Sequence, residues 1–110
     1  MTAPATPGIV LVTAGSEAEA DRLAHYLVEA RLAACVSLFP MRSLYRWQGE
    51  VQREAEWQLI IKTDLSQFEA LSQAIIQHHS YEVPEIIALP IADGLPTYLS
   101  WLQAQVLGVL

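Results

Sequence analysis

Residues 33–63 read AACVSLFPMRSLYRWQGEVQREAEWQLIIKT, two long strand-like runs that meet at Gln48-Gly49. A two-residue turn ending in glycine suits a tight hairpin, because glycine carries the positive φ that such a turn demands. Without a bulge, this turn sets Val36 opposite Ile61, Leu38 opposite Leu59 and Pro40 opposite Trp57, so one face of the hairpin is apolar. Each arm of about thirteen residues spans roughly 43 Å at about 3.3 Å per residue. A compact domain of this length has a radius of gyration of about 13 Å and is roughly 34 Å across. The hairpin must therefore project, and its tip, Tyr45-Arg46-Trp47, carries aromatic surface that a monomer leaves in water. An oligomer follows as the first expectation.

The remainder of the chain attaches to this hairpin. Gly8 to Thr13 is a continuous β-branched run of the kind found in a strand covered on both faces. Ser16 with Glu19 three residues later is a capping box, and Ala20, Leu23, Ala24, Leu27 and Val28 follow at helical spacing as an inward stripe. After the hairpin, Asp64 with Gln67 offers a second box before Phe68, Leu71, Ile75 and His79, one face of a second helix. Val83-Pro84 breaks that helix, and Glu85 to Ile91 is a short strand in which Pro90 belongs at an edge or an end. Pro96 opens a third helix that carries Leu95, Tyr98, Leu99, Leu102 and Val106. The order predicts an α+β domain, a ferredoxin-like βαββαβ sandwich with a long β2-β3 hairpin and an extra C-terminal helix. Residues 8–110 form this single domain and residues 1–7 an N-terminal tail without a basic or apolar leader segment.

Composition narrows the class of function. Apolar residues make up 53% of the chain and charged residues only 16%. That surplus, in a chain that can bury only a modest share of its own surface, favours subunit contact and hence a homo-oligomer. Twelve acids against six bases, with no basic cluster, disfavour nucleic acid as a partner. No apolar run approaches the length of a membrane span. The single cysteine, Cys35, excludes an intrachain disulfide and fits a reducing cytosol.

Three groups of residues are candidates for chemistry. The pair His78-His79 lies beside Glu82 and Glu85, and neutral imidazole is the commonest metal ligand. Adjacent helical residues point about 100° apart, so both rings reach one ion only if the helix has ended there. The competing reading has His79 completing the helix face. Lys62, near the end of the second arm, is a candidate partner for Glu82 or Glu85. Tyr45, Trp47, Trp57, Tyr81, Tyr98 and Trp101 either line a ligand cleft or fill a subunit contact. Nothing assembles a nucleophile, a base and an orienting group, so no enzyme is expected.

Several segments together resemble the CutA family of divalent-cation-tolerance proteins: Arg31 to Val36, Ser43 to Gly49, Ile60 to Thr63, His79 to Glu85, Ala88 to Ile91, and Tyr98 to Leu102. The match covers about 100 residues in one register. The resemblance implies a tight cytoplasmic homotrimer whose hairpins clasp neighbouring subunits, with clefts between subunits and an architecture similar to PII signalling proteins. It implies no obligatory cofactor, a ligand that is Cu²⁺ or another divalent cation, and His78, His79 and Glu85 as its ligands. Some members add a cysteine late in the first strand, where this chain has Val12, and the usual proline after the second histidine is here Ser80. The alternative the resemblance allows is a trimeric sensor whose intersubunit cleft holds a small anionic metabolite near Tyr45, Trp47, Lys62, Tyr81, Glu82, Glu85 and Trp101.

Overall fold

A computed structural model describes residues 5–107. Strand β1 is Pro7–Ala14, helix α1 Glu17–Glu29, β2 Cys35–Trp47 and β3 Glu50–Asp64. A 3₁₀ turn at Leu65–Gln67 leads into α2, Phe68–His78, followed by β4, Ile86–Pro90, and α3, Pro96–Leu107. The four strands form one antiparallel sheet in the order β2-β3-β1-β4. This is the expected ferredoxin-like arrangement with its additional C-terminal helix.

The hairpin register is the one the turn dictates, with Val36 opposite Ile61, Leu38 opposite Leu59 and Pro40 opposite Trp57. At the turn, Gln48 has φ 50° and Gly49 φ 82°, the pair of positive angles that matches the right-handed twist of the two strands. Strand β1 pairs with β3 only from Trp57 to Asp64, so Glu50 to Glu56 have β2 as their sole ladder partner. Beyond the sheet the hairpin is thus a two-stranded ribbon, and it stretches the molecule to 47 × 26 × 26 Å.

One face of the sheet holds the core. Val10, Val12 and Ala14 of β1 and Leu59 and Ile61 of β3 pack against Leu23, Leu27, Leu71 and Ile75 of α1 and α2. Burying one such side chain stabilises the fold by about 1.5–3 kcal/mol. The other face keeps apolar surface in water, with Phe39, Ile87 and Leu89 each between 44% and 47% exposed. β1 is accordingly not covered on both faces within one chain, because Ile9 and Leu11 are only half-buried. Helix α3 rests against β3 and β1 and buries Leu102 and Val106, while Leu95, Tyr98 and Trp101 stay exposed.

Local differences from expectation have simple causes. Val28 is exposed, because the inward stripe of α1 closes at Leu27 in its last turn. The Asp64 carboxylate accepts from the Ser66 N–H, which caps the 3₁₀ turn instead of starting α2 directly. Residues 1–4 of the expected tail lie outside the described residues, but the Thr6 carbonyl accepts from the Leu65 N–H at 2.7 Å and Pro7 is already in β1.

Gln48 occupies a backbone region that costs an L-residue roughly 1 kcal/mol and that asparagine tolerates better. Gln48→Asn is expected to raise stability by about 0.5 kcal/mol, and Gly49→Ala to lower it by about 1 kcal/mol. Urea denaturation at one fixed protein concentration measures both.

Candidate functional site

Strand alternation divides the ribbon into two unlike faces. Met41, Ser43, Tyr45 and Trp47 share one face with Glu50, Gln52, Glu54 and Glu56, whereas Arg42, Leu44 and Arg46 share the other with Val51, Arg53 and Ala55. The acidic, aromatic face is the one that meets the segment between α2 and β4. A cleft of about 680 Å³ opens between them. The ribbon supplies Met41, Ser43, Leu44, Tyr45, Trp47 and Glu56, the opposing lip supplies Ser80 to Val83 and Glu85, and Thr13 contributes from β1. Among the described residues no lysine, arginine or histidine lines it, against three carboxylates.

The lip is held from below by a buried polar network. Helix α2 ends at His78, and His79 turns into extended backbone, so its ring leaves the helix face and is fully buried. The ring donates from Nε2 to the Thr13 carbonyl at 2.7 Å and accepts the Tyr81 N–H at Nδ1 at 3.0 Å. Both nitrogens are thereby committed within the chain, and His79 acts as a strut between β1 and the lip. Glu19 completes the network. Its carboxylate accepts the Ser80 N–H at 2.7 Å, the Ser80 hydroxyl at 2.9 Å and the Gly15 N–H at 3.3 Å. Burial raises its pKa, but the hydrogen bonds from Ser80 and Gly15, with a lesser contribution from the neighbouring His79 ring, outweigh that and hold it below the usual carboxylate range.

Tyr81 carries the network into the cleft. Its hydroxyl donates to Glu56 Oε2 at 2.7 Å, and Gly15 allows the ring to pass, since a methyl group there would lie 3.2 Å from that hydroxyl. Burial first, then the Glu56 carboxylate that accepts its proton, pushes the Tyr81 phenol far above its ordinary value. The Tyr45 phenol is also raised, by burial and then by Glu54 and Glu56. The cleft is a region of negative potential.

Of the expected cleft residues, Tyr45, Trp47, Tyr81, Glu82 and Glu85 line it. Lys62 does not: its amine donates to Ser37 Oγ at 3.0 Å and lies 3.8 Å from Cys35 Sγ, on the sheet. Trp101 stacks on Tyr98 in α3, away from the cleft lining. Of the expected ligands, Glu85 lines the cleft, while exposed His78 stacks on Tyr26 with ring centroids 4.5 Å apart. Among the described residues, no three His, Cys, Asp or Glu side chains gather as a ready-made metal site. Two participants, Glu19 and Glu56, were not foreseen. Glu19 was readable only as a helix cap, and its Ser16 half of the box is indeed formed at 3.1 Å. Glu56, inward-turned and 5% exposed, was signalled only by its place opposite Met41 on the Tyr45 face.

The family profile described as CutA1 divalent ion tolerance protein matches residues 8–105. A divalent-cation tolerance protein CutA from Pectobacterium atrosepticum is 46% identical over 97 residues, covering 87% of this chain and 88% of that protein. The structure of a divalent cation tolerance protein, CutA1, from Thermus thermophilus superposes with a TM-score of 0.89 at 46% identity, over 91% of this chain and 98% of that one. A structure from Archaeoglobus fulgidus, described as a periplasmic divalent cation tolerance protein CutA, also reaches 0.89, at 37% identity and the same coverages of 91% and 98%.

The Glu19 network has a defined pH signature. Because folding lowers the Glu19 pKa, its contribution to stability is complete above the ordinary carboxylate value of about 4.3 and is lost as the pH falls through the lower folded-state value. Glu19→Gln is expected to cost about 1–2 kcal/mol at pH 7 and to narrow that deficit below about pH 4. Denaturation midpoints of the two proteins between pH 3 and 7 measure the difference.

Proposed function

The chain belongs to the CutA1 divalent ion tolerance family, and on that premise we propose that it is a binding protein whose acidic cleft attracts divalent cations, Cu²⁺ among them. The observation that carries this reading is a cleft with three carboxylates and no basic side chain in its lining. Glu85 and Glu82 of the lip hold the ion, while His78, stacked on Tyr26 outside the cleft lining, is not among its holders. His79 is a positioning residue here, since both its nitrogens are engaged. The protein's donors do not form a closed chelate within one subunit, so the cation keeps part of its hydration shell and binds weakly. The reading of an anionic metabolite in this cleft has lost its support, because Lys62 lies elsewhere.

The functional unit is a homotrimer. The exposed apolar face of Phe39, Ile87 and Leu89 needs cover, and the ribbon has an acidic face and a basic face that suit head-to-tail contact between copies. A cytoplasmic location accords with the unpaired thiol of Cys35. Among the described residues no helix is long and apolar enough to cross a membrane.

Titration of Cu²⁺ by calorimetry tests the cation site. The variant with Glu82→Gln and Glu85→Gln is expected to bind about fivefold more weakly or worse, the equivalent of about 1 kcal/mol, with unchanged affinity counting against the cleft. Sedimentation is expected to show a particle of about three times the 12.2 kDa chain. Trp47→Ala is expected to shift that particle toward monomer at low concentration before it alters Cu²⁺ affinity.

A further inference from the structure

Among the described residues Glu56 is a buried carboxylate without a counter-charge. It is 5% exposed, and among the described residues its one hydrogen-bond donor is the Tyr81 hydroxyl and no lysine or arginine pairs with it. A positive group entering the cleft can reach this side chain, which lines it. The volume beside it, about 680 Å³, is that of a small-molecule pocket and many times what one metal ion fills. A metal ion held at the rim by Glu82 and Glu85 leaves the end beside Glu56 unfilled. The rest of the lining is of another kind: the rings of Tyr45, Trp47 and Tyr81 and the thioether of Met41.

We propose that the cleft between the ribbon and the lip binds an organic ammonium cation with an aliphatic body. Its ammonium group meets Glu56 at the buried end, where an N–H donor complements the carboxylate oxygen that Tyr81 leaves free. Its methylenes lie along Met41 and the half-exposed rings of Tyr45 and Trp47, whose π faces attract a cation as well as an alkyl chain. Glu82 and Glu85, exposed at the outer rim, favour a second positive charge at the far end of the ligand. The ligand class is therefore an α,ω-diammonium alkane. An anion is excluded by the three carboxylates, and a neutral alcohol of the same shape leaves Glu56 uncompensated.

This inference shares the cleft with divalent-cation binding but not the ligand, and the two can fail separately. The probe is 1,4-diaminobutane, added to the full chain at constant ionic strength, with binding followed by the NMR signal of the Trp47 indole N–H. Saturable shifts are expected for the diamine, with 1,4-butanediol giving none that saturates. Glu56→Gln, whose fold is verified by circular dichroism, is expected to weaken binding about tenfold, the equivalent of about 1.4 kcal/mol. If Glu56→Gln fails to fold, the variant with Glu82→Gln and Glu85→Gln serves in its place, expected to weaken binding about fivefold. Absence of a saturable shift, an equal response to the diol, or undiminished binding by these variants overturns the proposal, whatever Cu²⁺ does in its own titration.

Discussion

The pairing of β2 with β3 is the constraint on which everything else depends. Its register, set by a two-residue turn with both φ angles positive, decides which side chains face the helices and which face the cleft. A slip by one residue would exchange the two sets along the slipped strand. Leu59 and Ile61 would leave the core, and Glu56 would leave the cleft for the arginine side of the ribbon. One ladder thus fixes both the stability of the domain and the sign of the charge in its pocket.

The second dependency is between the core and the lip. His79 and Glu19 are not at the surface of the cleft, yet they hold the Ser80-Tyr81 backbone that shapes it. Ser80 is the first residue of the lip. It contributes two donors to Glu19, a backbone N–H and a hydroxyl, neither of which a proline could offer. A pair of hydrogen bonds to a carboxylate thereby fixes the start of the lip, and the position of Tyr81 comes to depend on the ionisation of Glu19.

The fold was legible because its signals are local. Hairpin turn chemistry, alternation along β2 and β3, the Ser16 cap and the proline at the start of α3 each declare themselves within a few residues. The cleft was only half legible. Tyr45, Trp47, Tyr81, Glu82 and Glu85 could be grouped, but Lys62 and Trp101 were drawn in by residue type, and only the register shows Lys62 turned toward Ser37 and Cys35. Glu19 and Glu56 escaped because an acid that is buried by a contact 61 or 25 residues away reads, in sequence, like any solvated glutamate. Val28 erred in the opposite direction, since periodicity does not say where a helix stops being covered.

The outer strands of the sheet are β2 and β4, and each contains a proline, Pro40 in one and Pro90 in the other. A proline withdraws a donor from the row of backbone groups that an added strand would need. For a molecule with thirteen residues of outer strand in β2, this matters more than it would for a short one. Open-ended stacking of copies, strand upon strand, is interrupted at both borders of the sheet. Polymerisation is discouraged by the same strand that carries the ribbon outward, and a chain so rich in apolar residues is steered away from fibres and toward assemblies that close.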